Sequence, residues 1–399
     1  MRISTSAQFN RSLDQIMRQQ SDLHRTQLQM NTMSKLLQAA DDPAAASGAQ
    51  KLDHTLAQLQ QMSRDGDRVG LRLNLQEQAL ADAGDIMMRA SELAVRGNSP
   101  SLSQDERKMI AIEIRALRAD LLGVANRDDG NGRSLFAGNQ QGIVPFTDNA
   151  GTVSYMGDDG RNDVEISPGV QVADAEPGSR AFMRVATGDG QMRAEPATAN
   201  TGNLALQYAR TASSANWQAA DTPLQLMFDD AENWRLLDAA GDEIGNGAYT
   251  SGTSIVIAGV DIRLSGTPAA GDSVAIGKAA NRDVFNTLDQ LASALEAPLE
   301  TSKHQADAKS ALGNLISDLG RGHDHLLTIR ADVGMRMARI DTATDTRTGT
   351  EIGIKETLSG LRDLDFTEAT GRLAQQMTAL DAAQAVMVKM RSLSLFERL

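Results

Sequence analysis

The chain has 399 residues, only 3% of them aromatic, no cysteine, and a formal net charge of -13 at pH 7. This acidic balance argues against a nucleic-acid partner and against an anionic membrane surface, because both attract basic faces; the lack of cysteine excludes disulfides, thiolate metal ligands and cysteine nucleophiles. A chain of this length usually forms two or three domains, and its Ala-, Leu- and Met-rich apolar content favours long helices.

The first predicted element is an N-terminal helix with a heptad pattern. Between Phe9 and Leu37 the pattern advances in alternating steps of four and three residues, which is typical of a coiled-coil seam. Gln and Ser occupy several of these positions, so we expect the helix to become ordered only when partners bury it. Since Pro43 disfavours helix at Asp42, the helix should end between Ala39 and Pro43.

Two further helices are predicted to form an antiparallel rod. One begins after Pro43 and runs towards Val95, and Gly97 marks its end. Ser103 and Glu106 have the spacing of a capping box, which predicts the start of the next helix. Both helices carry an apolar stripe along most of their length, as packed helices of a bundle do.

After Asp128 the pattern changes from helices to strands. Asp-Gly and Asn-Gly turns followed by alternating apolar residues, up to Val172, predict a β-hairpin region packed on the rod. From Pro177 to Lys278 the chain is rich in Gly, Asp, Thr and Ala and contains short strand-like runs. This stretch is predicted to form a separate β-rich domain inserted in the helical part.

Helix is predicted to return at Asn281, to pause at Pro298 and to continue to the C-terminal region. From Phe366 to Leu395 the residues again follow an approximate heptad with polar interruptions. The predicted fold class is mainly α with a β insertion: terminal coiled-coil helices, a long antiparallel helical rod with a β-hairpin, and a separate outer β-rich domain. The predicted domains are 1–42 plus 364–399 (terminal coiled coil), 43–176 plus 281–363 (helical rod) and 177–280 (outer β-rich domain).

The candidate functional residues are heptad positions that would contact other subunits of an assembly. They are Phe9, Leu13, Ile16, Leu23, Met30, Leu37, Phe366, Leu373, Met377, Leu380, Met387 and Leu395. No catalytic residue, cofactor site or metal site is predicted. The closest histidine pair, His323 and His325, is two residues apart on a helix, which is poor geometry for one metal ion and predicts a solvated helix surface.

The two ends of the sequence together resemble the flagellin superfamily. The segments that carry the resemblance are Met1–Thr5, Gln27–Gln29, Asp41–Ala46, Leu135–Gly138, Asp332–Ile340, Asp363–Ala369 and Ser392–Phe396. The Arg-Ile-Ser-Thr opening is more similar to the members that act at the hook–filament junction than to filament flagellins. The resemblance extends over roughly the first 175 and the last 120 residues, in the order that the helical pattern requires.

The resemblance implies a structural adaptor of the bacterial flagellum, without catalytic activity or cofactors, that joins the hook to the flagellin filament. The implied partners are other copies of the chain in a ring, a hook-associated protein on the hook side, flagellin on the filament side, and an export chaperone. It also implies an extracellular location, reached by flagellar type III export without a cleavable signal. Two alternatives stay open: filament flagellin itself, or a carbohydrate-binding module in the middle domain with Trp217 and Trp234 as a stacking surface.

Overall fold

The structure is a computed structural model, in which residues 5–140, 142–220 and 222–396 are described. Within these ranges the chain is mainly helical, with helices at both ends and β-strands in the middle, as predicted. The helices are α1 (Thr5–Thr32), α2 (Pro43–Gly97), α3 (Gln104–Ala125), α4 (Ser214–Ala219), α5 (Val284–Glu296), α6 (Ser302–Arg362) and α7 (Phe366–Phe396), with a one-turn π-helix at Ser179–Met183.

The strands form small antiparallel sheets. They are β1 (Phe146–Asn149), β2 (Thr152–Tyr155), β3 (Asp163–Ser167), β4 (Val170–Ala173), β5 (Val185–Ala186), β6 (Met192–Pro196), β7 (Ala205–Thr211), β8 (Leu224–Phe228), β9 (Asn233–Leu237), β10 (Glu243–Ala248), β11 (Ser254–Ile257), β12 (Val260–Ser265), β13 (Ser273–Lys278) and β14 (Asn281–Arg282). Strands β1–β2 and β3–β4 are hairpins and β5 pairs with β14, while the two larger sheets have the orders β10-β9-β8-β13-β6 and β11-β12-β7. Together these sheets surround an apolar core that contains residues from β6 to β13.

Local sequence signals set several helix boundaries as predicted. Ser103 and Glu106 form the predicted capping box at the start of α3, where the Ser103 backbone N–H donates to Glu106 Oε2 at 2.8 Å. Helix α2 begins at Pro43 and ends at Gly97. A Cβ atom at Gly97 would lie 2.5 Å from a terminal methyl of Leu295 on α5, so a side chain there would displace this methyl group.

Two predicted boundaries were wrong because tertiary contacts decide them. Helix α1 ends at Thr32, well before the predicted stop, because Met33 takes a left-handed conformation (φ 53°) and Ser34 forms an antiparallel bridge with Asp363. The helix predicted to start at Asn281 is preceded by strand β14, which pairs with β5. Asp283 then caps α5.

The chain divides into two compact units. One contains the residues up to Arg64 together with those from Ala343 onward, and the other runs from Asp65 to Thr342. Helices α2 and α6 each contribute residues to both units. The three-domain division expected from the sequence therefore stays a prediction.

An aromatic cluster anchors the first hairpin region to α5. The rings of Phe146, Phe182 and Phe285 have centroids 5.6 to 6.1 Å apart, and Phe136 meets Phe182 edge to face at 5.1 Å. Gly178 lies against this cluster: a Cβ atom there would come within 2.6 Å of the Phe146 ring and 2.9 Å of the Phe136 carbonyl oxygen. The cluster therefore leaves no space for a side chain at this position.

A buried charge cluster joins the hairpin region to α2 and α6. Glu176 is fully buried, and its Oε1 accepts hydrogen bonds from Arg161 (2.8 Å) and Arg180 (2.7 Å), while Oε2 accepts one from Arg336 of α6 (2.6 Å). Gln76 of α2 donates to the Glu176 carbonyl and accepts from its N–H, both at 2.9 Å. Since every partner is on a different turn or element, the cluster fixes their relative positions.

Candidate assembly site

The terminal helices α1 and α7 pack against each other in the first unit. They run antiparallel, because the end of α1 meets the start of α7 and Gln19 lines the same small cavity as Gln376. The less exposed positions define the contact face of each helix. On α1 they are Ser12, Ile16, Gln19, Leu23, Thr26 and Met30, and on α7 they are Ala369, Leu373, Gln376, Leu380, Ala383 and Met387.

Both contact faces advance in steps of four and three residues, so the heptad rhythm of the seam is present. On α1, one column of the heptad is apolar, with Ile16 and Leu23, whereas the other is polar, with Gln19 and Thr26. On α7 the second column contains Gln376 and alanines. A seam in which one of two columns is polar or small buries less apolar area than a seam of leucine and isoleucine.

The structure places the candidate residues in different environments. Those on the contact faces are Ile16, Leu23, Met30, Leu373, Leu380 and Met387. Leu13, Phe366 and Met377 are exposed, and Leu37 lies half-buried in the segment after α1. Phe9 and Leu395 belong to α1 and α7, but their side chains are outside the described residues. Whether any of these residues contacts another copy stays a prediction.

The sequence pattern did not identify which of two neighbouring positions on each terminal helix lies in the seam between α1 and α7. The seam uses Gln19 and Gln376, whereas the predicted pattern used Gln20 and Met377, one residue later on each helix. The signal was ambiguous because Leu13 and Met377 are more apolar than their neighbours Ser12 and Gln376, which lie on the contact faces instead. The structure leaves these two side chains 39% and 51% exposed.

A second set of apolar side chains on the terminal helices therefore faces away from the seam. Besides Leu13, Phe366 and Met377, it contains Met17, Leu28, Val386 and Val388, each more than a third exposed. Exposed apolar residues in this number on two paired helices are typical of a surface that another protein covers. Met17 is 61% exposed on α1.

Polar contacts hold the segment between α1 and α2 against the end of α6. The Lys35 N–H donates to the Arg362 carbonyl at 2.8 Å, and Asp41 Oδ2 accepts from the N–H groups of Leu37 and Gln38 at 2.9 and 3.0 Å. The Gln38 and Leu37 hydrogen bonds and the nearby Arg25 lower the pKa of Asp41, although partial burial opposes them.

Asp42 is the first capping group of α2. Its Oδ1 accepts from the N–H groups of Ala44 and Ala45 at 3.1 and 2.9 Å. Asp42 therefore caps α2, whereas Asp41 organises the segment that precedes this helix and does not terminate α1.

The features considered for chemistry have structural roles. Trp217 and Trp234 are buried in the β-rich core, where their indole N–H groups donate to backbone carbonyls at 3.2 Å, so they form no exposed stacking surface. His325 is not simply solvated as predicted, because its Nε2 lies 2.7 Å from the Arg180 carbonyl oxygen.

Among the described residues, no three His, Asp or Glu side chains converge in a way that would hold a metal ion. Within the same ranges, no helix combines the length and hydropathy needed to cross a membrane.

Comparison with known proteins identifies relatives over the whole chain. The family model of the bacterial flagellin N-terminal helical region matches residues 3–141, and that of the C-terminal helical region matches residues 319–397. The flagellar hook-associated protein 3 of Escherichia coli is 24% identical over 398 residues, covering 100% of this chain and 99% of that protein.

Solved structures of flagellar hook-associated proteins are also similar to this chain. FlgL of Xanthomonas campestris is 37% identical, with a TM-score of 0.72 over 77% of this chain and 99% of that one. The flagellar junction protein FlgL of Legionella pneumophila is 22% identical, and its TM-score of 0.71 over 79% of this chain and 100% of that one shows the same fold.

Proposed function

Because the chain belongs to the flagellin superfamily, in the family of hook-associated protein 3 (FlgL), we propose that it is the structural adaptor that joins the flagellar hook to the flagellin filament. The observation that carries this proposal is the 37% identity to FlgL of Xanthomonas campestris, which extends over 99% of that chain. Full-length similarity to hook-associated protein 3 supports it independently.

The terminal helices supply a physical basis for the adaptor role. Their mutual seam is half polar, and a second set of apolar side chains, which includes Met17 and Met377, is exposed to solvent. Burial of these side chains by neighbouring subunits would stabilise the assembly by about 25 cal/mol for each Å² of apolar surface removed from water. We propose that the exposed apolar side chains of α1 and α7, which include the heptad residues Leu13, Phe366 and Met377, make the contacts between subunits.

The finer assignments extend the same proposal. Copies of the chain form a ring, with a hook-associated protein on the hook side and flagellin on the filament side. A cytoplasmic chaperone holds the chain before export, and the export apparatus of the flagellum secretes it without removing a signal peptide. The subunit has no catalytic activity of its own.

A gene deletion with immunogold labelling tests the adaptor role. A strain without this chain should make hooks but no attached filaments, and the wild-type chain should restore them. Gold particles against the chain should then lie only at the boundary between hook and filament. Label along the filament would identify the chain as a flagellin instead, and filaments attached in the deletion strain would refute the proposal.

Two substitutions on the terminal helices test the surface itself. Met17→Asp and Met377→Asp place a charge on side chains that are already exposed, so the isolated chain should fold normally, yet filament attachment should be lost. Val256→Asp, at a similarly exposed position of strand β11, is the control and should leave attachment intact. Normal attachment with both Met variants would exclude these side chains from subunit contacts.

A further inference from the structure

A cavity of about 510 Å³ lies between helix α2, the loop of residues 127–134 and the β3–β4 hairpin. We call it the Arg72 pocket, after the arginine of α2 that lines it and is only 7% exposed. Leu71, the neighbouring residue on α2, also lines the pocket and is 64% exposed. The pocket thus combines a buried cation with an exposed apolar side chain.

The buried guanidinium of Arg72 is incompletely bonded. Its Nη2 donates to the Ser134 carbonyl at 3.0 Å, while its Nε is buried without a partner. In the described ranges no carboxylate oxygen lies within 4 Å of this guanidinium, so Asp174 and Asp129 act on it only through space. Burial lowers the pKa of Arg72, and those two charges oppose that effect. A buried cation without a direct partner is unfavourable unless a bonding group reaches it.

The two nearby carboxylates each accept hydrogen bonds from groups other than Arg72. Asp129 Oδ1 accepts from the N–H groups of Asn131 and Arg133 at 2.9 and 3.2 Å, which fixes the loop. Asp174 Oδ2 accepts from the Asn162 amide at 3.2 Å. Each of these two carboxylates therefore holds a wall of the pocket through one of its oxygens, and neither bonds directly to Arg72.

A second arginine of the pocket also lacks a direct carboxylate partner. Arg133 is exposed, lines the pocket, and has no carboxylate within 4 Å among the described residues, and its charge also depresses the pKa of Arg72. Arg68, in contrast, lines the pocket but is paired with Asp65. A guest that relieves the repulsion between Arg72 and Arg133 must be anionic and must accept hydrogen bonds, and a carboxylate meets both requirements.

We propose that the Arg72 pocket binds an aspartate or glutamate side chain of a neighbouring copy of this chain, with Arg72 and Arg133 as the hydrogen-bond donors. The exposed Leu71 favours a protein guest over a free ion, since it offers apolar contact beside the donors. The chain has 52 acidic and 39 basic residues, so each copy presents a surplus of carboxylates to its neighbours. This inference rests on the proposed function, in which copies lie side by side.

A small dicarboxylate tests the chemistry of the pocket in the full chain. Glutarate should shift the Leu71 methyl resonances saturably, with a Kd on the order of 1–10 mM as expected for one ion-paired fragment, whereas sodium chloride at equal ionic strength should not. Arg133→Gln should weaken the binding at least about fivefold, and Arg68→Gln, which removes an arginine already paired, should change it less than about twofold. Absence of a saturable shift, or an equal loss in both variants, would overturn the proposal.

The source of the carboxylate is tested on assembled junctions. Copies with Arg133→Glu should occupy hook ends poorly in competition with wild type, whereas copies with Arg68→Glu should compete normally. Circular dichroism melts of both variants should match that of the wild type, because both positions are exposed. If glutarate binds but Arg133→Glu copies compete as wild type does, the pocket takes a free carboxylate and the neighbouring copy is excluded as its source. If even wild-type copies do not occupy hook ends, the proposed function fails, and the glutarate titration still decides the chemistry of the pocket.

Discussion

Replacing Glu176 by glutamine should destabilise the second unit by about 3 kcal/mol, because it removes the charge that three arginines share. Loss of one partner from a buried ion pair costs roughly 3–5 kcal/mol. The lower end applies here, since the side chains of Arg161 and Arg180 are more than a third exposed and regain water. Arg336 is only 16% exposed and loses its carboxylate partner, so it contributes most of the effect.

Urea unfolding of the full chain, followed by far-UV circular dichroism, measures this change in the free energy of unfolding. Hydrogen exchange should locate it in α6 around Arg336 and in the segment around Glu176, because the charge cluster joins them. Glu113→Gln is the matched control: this glutamate also pairs with an arginine, Arg89 at 2.7 Å, but on the helix surface. Exposed pairs contribute little. If both variants lose the same small amount, the buried cluster does not stabilise the fold and the reasoning is refuted.

Three further predictions concern the helices and the hairpin region. Ile16→Ala should destabilise the α1–α7 pair by about 2–3 kcal/mol and abolish its hydrogen-exchange protection, whereas Leu13→Ala, at an exposed position, should have little effect; equal effects would contradict the observed seam. The folded-state pKa of Asp41 lies below the ordinary value of 3.8. The contribution of Asp41 to stability is therefore complete above pH 3.8 and is lost as the pH falls through the lowered pKa. An NMR titration of Asp41 that gives an ordinary or raised pKa would disprove this. Gly178→Ala should destabilise the fold by about 1–3 kcal/mol, because the added methyl group would clash with the aromatic neighbours of this residue. Gly123→Ala, in open space within α3, should stabilise the fold by about 0.5–1 kcal/mol. Thermal melts measure both changes, and the same sign for both would show that the packing around Gly178 is looser than the structure has it.

The described part of the chain has helices at both ends and a β-rich region in the middle, and the sequence predicted both. Short local patterns were enough to predict a helix boundary where a single cap or turn determines it. The spacing of Ser103 and Glu106 located the start of α3, and Asp42 with Pro43 located the start of α2. Long apolar stripes likewise predicted helices of the observed length. The residues that form each cap lie within a few positions of one another in the sequence, so their effect does not depend on distant contacts.

The α1–α7 seam was predicted only in part, because the pattern does not distinguish adjacent heptad columns, and the contacts with other subunits stay a prediction. Ile16 and Leu380 were placed on the seam and are buried there. The second column was ambiguous, since Gln19 and Gln20 are identical in type and only the packing partner selects between them. The Arg72 pocket gave no signal at all, because its walls come from α2, a loop and a hairpin that are separate segments of the sequence.

By itself, then, the sequence determined the order and type of the elements, the caps of α2 and α3, the absence of cysteine chemistry and the flagellin-like ends. Only the tertiary structure decided where α1 stops, which heptad column is buried, and which carboxylates the buried arginines meet. The end of α1 depends on Ser34 pairing with Asp363, and the position of Glu176 depends on Arg336. Helical periodicity and capping are encoded by neighbours along the chain, whereas these choices depend on contacts between residues more than a hundred positions apart, which no local pattern contains.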